Sequence, residues 1–195
     1  MCKFFRPALA LLLGCFVVIN TQAKDRGVPA SHGITNFGQV NEHLYRGAQP
    51  NTNGIATLKS LGVKTIICLR LTNDLWLPEK AEAENNGINY INIPLRGLGA
   101  TGESDVERAL AAIEKSPGPV FVHCEHGCDR TGTLVACYRI QHDQWSAADA
   151  QKEANHYGMS VFERGMKKFI VQFSATEIKK RQATIMPAGK EAVTR

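Results

Sequence analysis

The stretch that most constrains this chain is residues 119–132, PVFVHCEHGCDRTG. A compact apolar run leads into His123 and has the length and composition of a buried strand. A short loop containing Gly127 follows. From 130 to 142 apolar residues then lie nearly all round a helical pattern, as in a helix at the centre of a domain. A buried strand that turns tightly into a buried helix belongs in an α/β fold, where helices cover both faces of a sheet. The expected class is therefore α/β: a central, mostly parallel sheet flanked by helices, with a strand–loop–helix unit at its centre.

The flanking segments repeat that alternation. Residues 44–46 (LYR) read as a short strand and 47–50 (GAQP) as a turn. A helix is expected over 51–61, ended by Gly62, and a strand over 63–69 (VKTIICL). A second helix spans 78–86, with Pro78 near its first turn, and residues 88–93 alternate as a strand does. In 104–115, Val106, Ala109, Leu110 and Ile113 fall on one helical face. Helices over 146–156 and from 161 to about 180 complete the pattern. On this reading LYR is an edge strand with Arg46 exposed. Trp76 and Trp145 pack, and His142 and His156 have no assignable partner.

The two ends differ from the middle. Residues 1–23 join Lys3 and Arg6 to an apolar run over 8–19 and small residues at 21 and 23, the pattern of an export signal. The run is too short to span a bilayer, which needs about 20 residues. The stretch LLGC ending at Cys15 also resembles a lipoprotein signal, a secondary expectation because Phe16-Val17-Val18-Ile19 follows it. Both readings export the chain, with the bacterial periplasm as the expected destination. Residues 24–40 are Gly-rich and weakly patterned, an arm; 41–178 form one domain; 179–195 form a basic tail. The +5 net charge sits at the ends: Lys3 and Arg6 give +2, and 179–195 give +4, leaving −1 on residues 24–178. A basic pI therefore gives no support to nucleic-acid binding. No stable membrane span is expected, and nothing demands more than a monomer.

The chemistry of 123–132 is that of an anion site. A loop from a strand's carboxyl end to a helix's amino end turns free N–H groups inward, where the helix dipole also favours negative charge. Gly127 allows the tight curvature. The same field lowers the pKa of Cys124. Arg130, six residues after Cys124, offers a planar fork for two phosphate oxygens. Thr131 can donate to the sulfur, and His123 orients the loop. Residues 125–130 (Glu125, His126, Gly127, Cys128, Asp129, Arg130) would line the phosphate site.

HCEHGCDRTG resembles the His-Cys-x5-Arg-Ser/Thr signature of the cysteine-dependent protein tyrosine phosphatase superfamily. The chain is most similar there to compact, exported, bacterial dual-specificity-type phosphatases. LYRGAQP (44–50), VKTIICLR (63–70) and NIPLRG (92–97) extend the resemblance over roughly 40–175. It implies a phosphatase-type site and a two-step hydrolysis through a cysteinyl-phosphate on Cys124, with no cofactor and no metal. It also implies a phosphorylated protein substrate; phosphotyrosine is favoured because a phenol leaving group, with pKa near 10, needs less help from a poorly placed acid. The family's general acid sits on a loop after the NIP-type strand, yet residues 95–102 contain no carboxylate. Glu103 and Asp105 follow at a helix start, where they also suit the dipole. Asp129, inside the loop as in the myotubularin lipid phosphatases, takes a slight preference over Asp105.

Other readings are weaker. His123, Cys124, His126 and Cys128 are a Cys2His2 set, but four ligands within six residues cannot surround one ion tetrahedrally, and Arg130 would repel it. A sulfurtransferase or arsenate reductase fits the Arg130-Thr131-Gly132 run less well. A phosphoinositide phosphatase of the same superfamily is the alternative enzyme, disfavoured by Glu125 and Asp129. A catalytically weak phosphotyrosine-binding module is the alternative non-enzyme. Cys68 or Cys128 could trap Cys124 reversibly as a disulfide, or simply pack; Cys137 reads as a buried, inert thiol.

Overall fold

The computed structural model describes residues 27–96 and 102–185. Its strands are β1 (Gly38–Gln39), β2 (Leu44–Gly47), β3 (Thr65–Cys68), β4 (Asn89–Asn92) and β5 (Val120–His123). Six helices accompany them: α1 (Thr52–Ser60), α2 (Pro78–Asn85), α3 (Glu103–Lys115), α4 (Asp129–Gln141), α5 (Ala147–His156) and α6 (Arg164–Ile185). The sheet order is β1-β2-β5-β3-β4, parallel except for the antiparallel β1–β2 pair. This is the mostly parallel α/β sheet the sequence implies. Four parallel strands end on one side, so their following loops converge there, and β5 feeds its loop into the middle of that edge.

Alternation along the strands builds two cores. Val120 and Val122 of β5, with Ile67 of β3, pack against α3, α4, α5 and α6. Phe121 and Ile66 face the other way, toward Ile55, Leu58 and Ala83 of α1 and α2. On α3 the four expected residues, Val106, Ala109, Leu110 and Ile113, are the buried ones. Helix α4 buries nearly its whole circumference. Local chemistry sets the helix ends. Asn51 caps α1 by accepting from the Gly54 N–H at 2.9 Å, and Ser146 accepts from the Asp149 N–H at 3.1 Å. Gly62 leaves α1 at φ +79°.

Three expectations need correcting. Arg46 is not exposed on an edge strand: β1 covers that edge, and Arg46 is fully buried on an internal strand. The described part of the arm is more than a linker, because Ile34, Phe37 and Val40 enter the cores and Phe37 stacks on Tyr45, centroids 5.7 Å apart. Helix α6 starts after 163 and runs beyond the expected limit. Lys180 bridges Glu177 and Glu107, and Arg181 donates to the Ile140 carbonyl, so its last turns stay docked. The signal segment and tail residues 186–195 lie outside the described residues. Among the described residues no helix is long and apolar enough to cross a membrane. Trp76 and Trp145 do pack, the latter under the Arg139 guanidinium at 4.5 Å; His142 pairs with Asp143 at 2.7 Å and His156 meets Tyr157 edge-on.

Candidate active site: the 124–130 loop

Where the loop's backbone carbonyls go determines what its N–H groups can do. The Cys124 carbonyl lies 3.0 Å from His123 Nδ1, and the Glu125 carbonyl accepts from the Gln49 N–H at 3.0 Å. The His126 carbonyl accepts from Asn36 Nδ2 at 3.2 Å and from the Cys128 thiol at 3.4 Å. Arg46 Nη2 donates to the Gly127 carbonyl at 2.8 Å, and the Gly132 N–H donates to the Cys128 carbonyl at 2.9 Å. All five oxygens are thus engaged around the outside of the turn. A tight loop with its carbonyls outward presents its amides inward, as an anion cup. Gly127 makes the turn possible: its φ is +70°, and a Cβ there would come within 2.5 Å of the Gly47 carbonyl group.

Cys124 is only 3% exposed. Burial pushes its thiol pKa up, but more acts the other way: the Thr131 hydroxyl and N–H, the charge of Arg130 and the Gly127 N–H together bring it below the ordinary cysteine value. The buried Thr131 hydroxyl has no partner other than that sulfur among the described residues. Arg130, in the first turn of α4, is largely buried yet stays at the mouth, with Nη2 3.9 Å from Glu125 Oε2. Glu125 and His126 project outward, 3.9 Å apart.

The expected acids are placed differently from one another. Asp129 Oδ1 accepts from the Ser160 N–H at 2.7 Å, tying the start of α4 to the α5–α6 connection. Asp105 pairs with Arg108 of its own helix at 3.0 Å. Residues 97–101 of the loop after β4 lie outside the described residues. Members of the Cys2His2 set point apart: His123 faces Glu79 beneath the sheet, His126 is 69% exposed, and Cys128 faces Asn36. All four described cysteines are free thiols. Cys68 is register-paired with His123, whose neighbour Cys124 belongs to the opposite core, so Cys68 is badly placed to trap it. Burial raises the Cys137 thiol well out of the reactive range, in keeping with an inert role.

Several supporting residues carried no sequence signal. Buried Asn36, in the left-handed region at φ +54° that asparagine tolerates, shares its amide among His126, Cys128 and the Tyr157 carbonyl. Arg46 lies over the Tyr157 ring at 3.8 Å. Burial lowers its pKa to about 10, against the pull of Glu153, Tyr157, Cys124 and Cys128, so it remains a cation behind the thiol. Arg70 reaches Asp74 at 2.7 Å and Gln49 at 3.4 Å, steadying the rim. Asp74 feels the charges of Arg130 and His126 after the closer Arg70.

The chain matches the family model described as a DSP-PTPase phosphatase fused to NAD+ kinase over residues 22–172. Among curated proteins it is similar to the dual specificity protein phosphatase TpbA of two Pseudomonas aeruginosa strains. One alignment is 30% identical over 169 residues, covering 80% of this chain and 73% of that protein. The other is 33% identical over 129 residues, covering 63% of this chain but only 55% of the relative. The crystal structure of TpbA in complex with pTyr superposes with a TM-score of 0.63 at 23% identity, covering 81% of this chain and 99% of that one, a likeness of fold. Match, fold and loop geometry agree that the chain belongs to the dual-specificity-type, cysteine-dependent protein tyrosine phosphatase family.

Proposed function

We propose that the chain hydrolyses phosphomonoesters through a cysteinyl-phosphate, with phosphotyrosine in proteins as the favoured substrate. The observation that carries this reading is the buried, pKa-lowered Cys124 at the floor of a loop whose five carbonyls are all engaged on its outer side. The sulfur attacks phosphorus, the bond to the leaving oxygen breaks, and an acid delivers a proton to that oxygen. Water then attacks phosphorus, the S–P bond breaks, and the departing thiolate accepts again from Thr131. Loop amides of 125–130 and the Arg130 fork hold the phosphoryl oxygens throughout. Asp129 is the proposed acid, ahead of Asp105, because it adjoins Arg130; its Oδ1 accepts from the Ser160 N–H, which holds it in place, whereas Asp105 pairs with Arg108 on α3.

Phosphotyrosine is favoured for two reasons. A phenol leaves with a pKa near 10 and needs less help from an acid than an alkoxide does. Glu125 also places negative charge beside Arg130, which disfavours polyphosphorylated headgroups. The protein is proposed to be exported, on the strength of the 1–23 pattern. A chain beginning at Lys24 in the periplasmic fraction supports export, and a retained Met1 refutes it; cleavage before a lipidated Cys15 would mark the anchored variant.

The test is a pH-resolved panel of phosphotyrosine peptide, phosphoserine peptide and phosphoinositide on wild type, Asp129→Asn and Asp105→Asn. Phosphotyrosine should turn over fastest, and Asp129→Asn should lose the basic limb of the pH–rate profile. Faster phosphoinositide turnover, or binding without turnover, would overturn the substrate reading. An unchanged basic limb would remove Asp129.

A further inference from the structure

Glu79 is an unusual carboxylate. It stands in the first turn of α2, where full exposure would serve the helix dipole equally well, yet its side chain is completely buried. Burying a carboxylate costs several kcal/mol unless a partner compensates. The partner is His123, whose Nε2 lies 2.9 Å from Glu79 Oε1, also at zero exposure. The Tyr90 hydroxyl of β4 donates to Glu79 Oε2 at 3.2 Å, and the Phe121 ring stacks on the imidazole, centroids 5.7 Å apart. Cys68 of β3 stands beside both, its sulfur within 4.8 Å of the facing Glu79 and His123 atoms.

The other edge of the same imidazole faces the nucleophile. His123 Nδ1 is 3.0 Å from the Cys124 carbonyl. A carbonyl only accepts, so Nδ1 carries the hydrogen. The ring therefore bridges the backbone of Cys124 and the carboxylate of Glu79. We propose that Glu79 is a positioning residue for the reaction: it anchors His123 so that the ring fixes the Cys124 carbonyl and places positive charge behind the thiolate. The proposal rests on Cys124 being the nucleophile.

Burial alone would strip the proton from His123. The Cys68 side chain and Glu79 more than reverse this and hold its pKa up, to about 10. Glu79 from α2 and Cys68 from β3 act on the ring, and Tyr90 from β4 stands behind them against Glu79 and Cys68, so Glu79 is the carboxylate of this cluster. Glu79→Gln keeps the shape and removes the charge, so the imidazole holds its proton less strongly and the thiolate is less stabilised.

The test measures alkylation of Cys124 by iodoacetamide against pH, which needs no turnover, beside kcat and KM. In Glu79→Gln the alkylation midpoint should rise by about one pH unit, and kcat/KM on the acid side should fall about tenfold. KM should change less than kcat, because Gln49, Asn36 and Arg46 still hold the carbonyls of residues 125–127. Tyr90→Phe, which removes only a supporting hydrogen bond, should shift the midpoint in the same direction by less, and it serves if Glu79→Gln does not fold. Glu79→Asp should recover part of the wild-type midpoint. An unchanged midpoint in both Glu79→Gln and Tyr90→Phe overturns the proposal while Cys124→Ser inactivity leaves the nucleophile standing. Turnover by Cys124→Ser would instead remove the reading beneath it. Stoichiometric zinc in wild type, lost in Glu79→Gln, would also overturn it, reassigning Cys68, Glu79 and His123 as metal ligands.

Discussion

The two sides of the catalytic loop are built from different materials. Toward the ligand it offers backbone N–H groups, the Cys124 sulfur and the Arg130 guanidinium, all from within ten residues of chain. Away from the ligand it is gripped by Asn36, Arg46, Gln49 and, through His123, Glu79, which come from three separate segments. The inner side makes chemistry possible, and the outer side makes its geometry permanent. Backbone amides point inward only because each carbonyl has a designated partner outside. A second cation, Arg46, works from that outer side: it never meets phosphate, yet it holds Gly127 and couples to Cys124.

Substitutions on the two sides should therefore separate activity from stability. Short of removing the nucleophile, the largest loss of activity is expected for Arg130→Lys, which keeps the charge but loses the planar fork. Aryl phosphatase turnover should drop at least about a hundredfold, with the melting temperature nearly unchanged. Arg46→Met should do the reverse. It leaves the Gly127 carbonyl without its donor and strips the cation from the Tyr157 ring, costing about 2–3 kcal/mol of stability by denaturant unfolding. Its activity loss should be the smaller of the two. A large stability loss in Arg130→Lys, or none in Arg46→Met, would break the division between inner and outer sides.

The same division explains what could be read from the chain. Residues proposed to meet phosphate or the thiolate are local in sequence, so Cys124, Gly127, Arg130 and Thr131 announce themselves through one spacing. The residues that support them do not. Asn36 reaches Cys128 across 92 positions, and Arg46 reaches Gly127 across 81. No periodicity marks such contacts, and a charged residue on a short strand reads as exposed until β1 is found to cover it. Strand β1 has only two residues and follows a Gly-rich stretch, too little pattern to detect. Helices were legible because their faces repeat: Val106, Ala109, Leu110 and Ile113 on α3 are the plainest case. Glu79 was invisible for the opposite reason, since a carboxylate in a helix's first turn has a sufficient explanation without any buried partner.

The central claim is that Cys124 carries the phosphoryl group, activated by a cup of amides held from outside. Rapid acid quench of the protein with an aryl phosphate, followed by peptide mass spectrometry, tests it most directly. A phosphate adduct is expected on the peptide containing Cys124, with both adduct and turnover absent in Cys124→Ser. Phosphate found on another residue, or turnover persisting in Cys124→Ser, would contradict it.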